Sequence, residues 1–390
     1  MFFVLVAIDL ICSFKSGGEI SNFLSMHLRK LSLFNFKNRE SSKFEFFEGV
    51  NCITGPNGSG KTNILDAIYF LSLTKSWVNN SDQACIQHGK EYAIVRGDFY
   101  DEDNLIAVKA SLNQTKKKMF SVNDSIYEKL SDHIGRVPLI LIEPYDTDYV
   151  RLGSELRRKL FDGFIAQVDP MYLDYILRYN RALKQRNASL KMMAETGKAN
   201  YTLLEAFDEI LLESGLYIYN KRAHFLKETL YDFRTLYNFF ADKEEPVSIL
   251  LESDCKALDF EKKFKNNKSY DIKAKRTLLG IHRDDFVFQI GEEGRPLKTV
   301  GSQGQQKTFI MALKLNQLSV LEEALKSKPI LLLDDIFDKL DNNRISGLLE
   351  FIIKYKLQAF ITDARKERSD GVFKEMNIIA NMIDIENYEK

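Results

Sequence analysis

The octapeptide Gly55-Pro56-Asn57-Gly58-Ser59-Gly60-Lys61-Thr62 constrains this chain more than any other feature of its sequence. Glycines at its first and sixth positions let several backbone N–H groups converge on one anion. The Lys-Thr end opens a helix whose N-terminus carries partial positive charge. Before it, Val50–Thr54 reads as a short apolar strand. After it, Ile64, Leu65, Ile68 and Leu71 fall at helical spacing and predict a helix over residues 63–73. This is the context a P-loop requires. Lys61 is then placed to meet the β- and γ-phosphates of a nucleotide, and the Thr62 hydroxyl to bind Mg²⁺. The expected nucleotide-binding residues are Gly55, Pro56, Asn57, Gly58, Ser59, Gly60, Lys61, Thr62 and Asn63, with ATP and Mg²⁺ as cofactors.

A partner element lies far along the chain. Ile330-Leu331-Leu332-Leu333 is a continuous apolar run suited to a strand buried on both faces, and Asp334-Asp335 emerge at its C-terminal end. Ligands of open α/β sheets bind at that end. Asp334 is expected to hold Mg²⁺, and Asp335 to orient an attacking water. A third segment, Ser302-Gln303-Gly304-Gln305-Gln306-Lys307, precedes an apolar helical pattern and reads as a helix start with anion-binding capacity. It lies about 240 residues beyond Lys61, and one nucleotide site in one chain needs only one such start.

Between these motifs the texture changes. Residues 31–36, 44–46 and 92–122 read as strands, with turns at 101–104 and 123–124, and residues 138–142 as a buried strand. From about residue 151 to 267 apolar residues recur at three and four. This predicts two long antiparallel helices joined at Gly197, the first over residues 171–194 and about 36 Å long. The Lys-rich stretch 262–275 is the nearest thing to a linker. The sequence thus predicts an α/β fold, a P-loop ATPase head with an inserted, mainly helical arm. Its expected segments are an extension over 1–25, the head's first part over 26–150, the arm over 151–270 and the head's second part over 271–390.

Composition removes several classes. Lys+Arg and Asp+Glu both number 55, so a histone-like mode of nucleic-acid binding through global charge is excluded, while local basic stripes are not. Arg157-Arg158 and the helical run Arg178, Arg181, Lys184, Arg186 are such stripes. The four cysteines have neither CxxC nor Cys/His metal-ligand spacing, so reduced thiols in a cytoplasmic chain are expected. Residues 1–14 are apolar but too short for a transmembrane span, carry no basic n-region and are broken by Asp9. His282-Arg283-Asp284 imitates a kinase catalytic loop, yet the Asn required five residues later is Gln289.

In order, GPNGSGKT, SQGQQK and LLLDDIFDKLD resemble the ATP-binding-cassette ATPases of the SMC, RecN and RecF group. Further segments resemble the RecF family in particular: residues 31–38, Leu152 to Asp162 with Arg157-Arg158, Tyr179 to Ala188, and Gly280 to Asp285. The resemblance runs from Met26 to about Asp363. It implies that Ser302, Gln303, Gly304 and Gln305 form a signature element that acts in trans, on the nucleotide held by the P-loop of a second copy. It also implies ATP-dependent homodimers and DNA binding at single-strand/duplex junctions, with Arg157, Arg158, Arg181 and Arg186 as DNA-contacting candidates. Weak ATP hydrolysis, assistance in loading recombinase, RecR- and RecO-like partners and no membrane association complete the implied picture. Alternatives are an SMC- or RecN-like structural ATPase and a transporter ATPase subunit. Three positions depart from the family pattern: Lys37 where Arg is usual, Trp77-Val78 where Phe-Arg is frequent, and Asp363 where transporter ATPases have His. Alignment of the family start with Met26 marks residues 1–25 as an upstream extension.

Overall fold

The computed structural model describes residues 24–387. The described residues divide into two units, one of residues 24–146 with 311–387 and one of residues 147–310.

The first unit holds two sheets. Five parallel strands lie in the order Ala380–Asp384, Val50–Thr54, Ala359–Asp363, Ile330–Leu333, Leu139–Ile142. Three of them are buried at every position, as continuous apolar runs require. Six antiparallel strands form the other sheet, in the order Arg39–Glu45, His27–Phe36, Tyr92–Asp101, Asn104–Asn113, Met119–Val122, Ser125–Ile126. The helix Lys61–Leu73 shares one core with both sheets. Its Ile64, Leu65, Ile68 and Leu71 join Leu31, Val95 and Phe120 of the antiparallel sheet and Leu332 and Phe360 of the parallel one. Each such side chain contributes roughly 1.5–3 kcal/mol when fully buried. The parallel order has one consequence for the site. Strand Ala359–Asp363 lies between the strand that feeds the P-loop and the strand that ends at Asp334, so all three present their C-terminal ends along one edge.

The second unit is built on a helical hairpin. Helix Pro170–Thr196 starts with Asp169 accepting the Tyr172 N–H and with Pro170 in its first turn, and it stops at Gly197 in a left-handed conformation (φ 70°). The return helix, Tyr201–Phe240, has 40 residues and is about 60 Å long. Tyr175 stacks on Tyr217, Arg178 meets Glu213 and Arg186 meets Asp208, so rising numbers on one helix face falling numbers on the other. The hairpin read from sequence, with its break at Gly197, is present.

Three expectations differ from the structure. The head's second part does not begin at residue 271: residues 271–310 belong with the helical unit. The cause is an unexpected strand, Val247–Glu252, which pairs antiparallel with Asp285–Ile290 over six residues, with Arg295–Pro296 at the far edge. Helical periodicity on either side masked its Val-Ser-Ile-Leu-Leu-Glu sequence. The boundary at 310 falls inside the helix Gln303–Leu325. Next, the Lys-rich stretch is not a linker. It forms the helices Phe260–Asn266 and Lys268–Ala274, anchored by buried Phe260, Phe264 and Asp271. Finally, Leu24–Ser25, inside the supposed extension, pair in parallel with Ser327–Lys328. The remainder of that extension, residues 1–23 with Cys12, lies outside the described residues. Cys52, Cys85 and Cys255 are free and buried.

Candidate nucleotide site

The loop between strand Val50–Thr54 and helix Lys61–Leu73 has the backbone that its glycines permit. Gly58 (φ 79°) and Gly60 (φ 100°) are left-handed. A Cβ at Gly60 would stand 2.5 Å from the Asn38 amide nitrogen, so any other residue there would also displace the Asn38 side chain. The helix carries no side-chain cap, which leaves its N-terminal N–H groups open to an anion. Pro56, Asn57 and Gly58 are exposed, and Ser59 is buried.

Two residues brace this loop from the first antiparallel turn. Asn38 donates to the Ser59 carbonyl (3.2 Å) and accepts from the Asn63 amide (2.8 Å). Arg39, fully buried, donates to the same carbonyl at 3.1 Å, and burial lowers its pKa. Arg39 does not stand out in the sequence, and Asn38 does so only as the last residue of the family-like segment 31–38, since an Asn-Arg pair at a tight turn looks like any hairpin. Lys37 turns away from the loop, and its ammonium pairs with buried Asp66 at 2.5 Å. Asp66 also accepts from the Ser76 hydroxyl and the Trp77 N–H, so Trp77 is held to the P-loop helix through its backbone.

Lys61 folds over the loop and donates to the carbonyls of Gly55 (2.7 Å) and Pro56 (2.9 Å). Burial lowers its pKa, against the opposing pull of Asp335, Asp334 and Asp363. The Thr62 hydroxyl lies 3.1 and 3.2 Å from the two Asp334 oxygens. Two oxygens in adjacent positions around Mg²⁺, each about 2.1 Å from it, stand about 3.0 Å apart. The hydroxyl and carboxylate therefore fit that cation without rearrangement, and both are the hard oxygen donors it prefers. Burial raises the Asp334 pKa, while hydrogen bonds from Thr362 and Thr62 and the Lys61 charge oppose the rise.

Thr362, at the end of the intervening strand, ties the acids together. Its hydroxyl donates to Asp334 Oδ1 (2.8 Å) and accepts the Asp335 N–H (2.8 Å). Asp335 is left-handed (φ 49°), a conformation that costs a non-glycine residue energy, and its side chain makes no cap to the short helix that follows. Burial, then the Asp338 charge, raises its pKa. Asp363, at the departure from the His pattern, is held by Arg368, which also grips Asp338. Glu143 follows the strand that flanks Asp334, and burial pushes its carboxyl up to about 7. Thr362, Arg368 and Glu143 escape a reading of the sequence because adjacent parallel strands bring two stretches, 359–368 and 139–143, to Asp334 from different parts of it.

In the helical unit, Ser302 and Gln305 form a reciprocal cap. Ser302 Oγ accepts the Gln305 N–H (3.2 Å), and Gln305 Oε1 accepts the Ser302 N–H (2.8 Å). Gln303 and Gly304 occupy the first helical turn.

The arginines need correction. Arg186 is 0% exposed and binds Asp208, Asp271 and Thr277, each at 2.8 Å, so it cannot reach DNA. Arg157 is bidentate to Asp285 (2.7 and 2.9 Å) and also donates to two carbonyls. Arg158 donates to Ser154 Oγ and the Asp284 carbonyl. These three carry the unit's own structure, and of the four candidates Arg181 alone is exposed. Three of the four RecF-like segments converge: Arg222, buried, binds Asp162 of the segment 152–162 and Asp284 of the segment 280–285, and Tyr179 of the segment 179–188 bonds His282 at 2.7 Å.

A family model, the RecF/RecN/SMC N-terminal domain, matches residues 27–386. A DNA replication and repair protein RecF of Cytophaga hutchinsonii is 44% identical over 350 residues, covering 90% of this chain and 92% of that one. A solved recombination mediator protein RecF, as RecF-ATPrS in the RecFOR pathway, superposes with a TM-score of 0.83 at 29% identity, covering 93% of this chain and 98% of that one. A second, as RecF-ATP, gives 0.81 at 31% identity over 89% of this chain and 94% of that one. No described helix is long and apolar enough to cross a membrane. With an ATP-binding-cassette type of ATPase fold and this degree of similarity over nearly its whole length, the chain belongs to the RecF family of DNA replication and repair proteins.

Proposed function

We propose that this protein is a weak, Mg²⁺-dependent ATPase that closes as a homodimer on ATP and clamps DNA at single-strand/duplex junctions, where it helps load recombinase. RecR- and RecO-like proteins are its partners, and the cytoplasm is its compartment. One observation carries the reading: the Thr62–Asp334–Thr362–Asp335 cluster stands beside an uncapped P-loop helix. Relatives described as DNA replication and repair proteins, and a neighbour solved with ATP, support it.

On binding, Lys61 exchanges the Gly55 and Pro56 carbonyls for β- and γ-phosphate oxygens, and the open helix N–H groups receive the remaining charge. Thr62 and Asp334 would hold Mg²⁺, which supplies neutralisation of the charge developing on the phosphates. Asp335 accepts a proton from the attacking water and orients it for in-line displacement. The Ser302–Gln305 helix start of a second copy covers the outer face of the γ-phosphate, so hydrolysis opens the pair and releases DNA.

The test is ATP-dependent binding to gapped against blunt duplex DNA by wild type and Lys61→Ala. Wild type prefers the gap only with ATP. Lys61→Ala loses two charge-assisted contacts at about 1.5–3 kcal/mol each, hence at least about a hundredfold in nucleotide affinity. Equal binding of wild type to both DNAs in the presence of ATP would remove the proposal.

A further inference from the structure

The Gln305 amide has a second set of partners that the cap does not need. Its Nε2 donates to both oxygens of Glu245, at 2.8 and 3.0 Å. Glu245 Oε1 also accepts the hydroxyl of Tyr237, a fully buried residue near the end of the long return helix, at 2.5 Å. The Glu245 backbone is fixed on both sides. Its N–H donates to Asn238 Oδ1 (3.4 Å), and the next carbonyl, of Pro246, accepts the Gly291 N–H (2.8 Å). A short connection between helix Tyr201–Phe240 and strand Val247–Glu252 therefore holds one carboxylate at the start of helix Gln303–Leu325.

A glutamine amide has two faces, related by a half-turn, and only one places oxygen toward the Ser302 N–H. An ionised carboxylate accepts and does not donate, so it selects the NH₂ face and thereby sends Oε1 to Ser302. Ser302 Oγ then accepts the Gln305 N–H and keeps its own O–H for an outside acceptor, and the residue is exposed. The helix start thus has one hydroxyl donor, on a Ser302 backbone whose N–H is held by the Gln305 amide that Glu245 accepts from.

We propose that Glu245 is a positioning residue for the signature element: it sets the Gln305 amide so that Ser302 presents its hydroxyl to the γ-phosphate held by a second copy. This rests on the reading that the Ser302–Gln305 helix start acts in trans. Glu245 touches no nucleotide in that arrangement. Its removal frees the amide to turn, and the cap and the Ser302 hydroxyl lose their common orientation. The inference adds to the signature element a residue from outside it, about 60 positions earlier in the chain.

The experiment uses full-length Glu245→Ala and Glu245→Gln with a non-hydrolysable ATP analogue, followed by nucleotide titration and sedimentation. Glu245→Ala binds the analogue as a monomer within about twofold of wild type, because the P-loop is untouched. Its analogue-dependent dimer is about tenfold weaker, and in hydrolysis kcat falls with KM unchanged. Glu245→Gln keeps one acceptor oxygen, so its dimer falls between the two. If Glu245→Ala does not fold, Glu245→Gln carries the test. Mixing separates positioning from general damage. Glu245→Ala with Lys61→Ala rebuilds one intact composite site and regains analogue-dependent heterodimers, whereas Glu245→Ala with Ser302→Arg regains none. A Glu245→Ala dimer as strong as wild type or stronger, with Ser302→Arg still blocked, overturns the role of Glu245 alone. Failure of the Lys61→Ala mixture to rescue does the same. A Ser302→Arg protein that dimerises like wild type overturns the trans reading and this inference with it.

Discussion

At the scale of single residues, this site is decided by which oxygen each proton faces. Thr62 and Thr362 both direct hydroxyls to Asp334, which leaves the neighbouring Asp335 as the acid without a hydroxyl partner. The left-handed backbone at Asp335 places it off the strand axis, and the cost of that conformation is borne where the chemistry needs a carboxylate. Asp335→Asn preserves shape and removes the base. It is expected to bind ATP with near-normal affinity and to hydrolyse it about 10²–10⁴-fold more slowly. Single-turnover assays alongside nucleotide titration check this; a wild-type rate would assign water orientation elsewhere, and Glu143 would be the next group to replace.

Among elements, the helical unit is held by polar groups that sequence patterns had offered as a DNA surface. Arg222 is buried between Asp162 and Asp284. Taking away the cation removes the ion-pair partner of buried Asp284 and part-buried Asp162 at once. Arg222→Ala is therefore expected to cost about 3–5 kcal/mol, read as a lowered midpoint in urea unfolding. His282 gives the same network a pH signature. Its Nδ1 accepts from Tyr179 and its Nε2–H donates to the Thr277 carbonyl, the tautomer that these two partners require. Burial pushes its pKa down to about 4, from an ordinary value near 6.5. The unfolded chain thus binds the proton first as pH falls. Stability contributed by the neutral imidazole is complete above about pH 6.5 and declines as pH drops toward 4, by about 3 kcal/mol at most. Thermal midpoints measured across that window should slope for wild type and flatten for His282→Gln. An equal slope in both would place the acid sensitivity in other groups.

For the whole molecule, the composite-site reading makes its own demand. The P-loop and the Ser302 helix start belong to different units of the chain. Ser302→Arg introduces a bulky side chain where the γ-phosphate of a second copy would sit. It should leave monomer ATP affinity nearly unchanged while abolishing ATP-induced dimers in sedimentation. Mixed with Lys61→Ala, it should restore at most one composite site per heterodimer. Dimers of Ser302→Arg at wild-type strength would remove the trans role of this helix start.

The sequence by itself determined the phosphate-binding motif and the class of fold. A P-loop is a local structure: glycines at fixed offsets, a lysine and a helix start are all contiguous, so Gly55 to Thr62 can be read without knowing any long-range contact. The buried strand before Asp334 and the hairpin turning at Gly197 are legible for the same reason, because period and capping are properties of neighbours in the chain. Tertiary structure alone decided which charges are internal. Arg186 and Arg181 lie five positions apart on one helix; the register of the facing helix, which brings Asp208 to Arg186, buries one while the other remains exposed. It also decided that Thr362 stands between the acids, since parallel strands adjoin by topology and not by order. The second domain boundary and the role of Glu245 belong to this second kind. A strand finds its partner, and a carboxylate its amide, only after distant segments have packed.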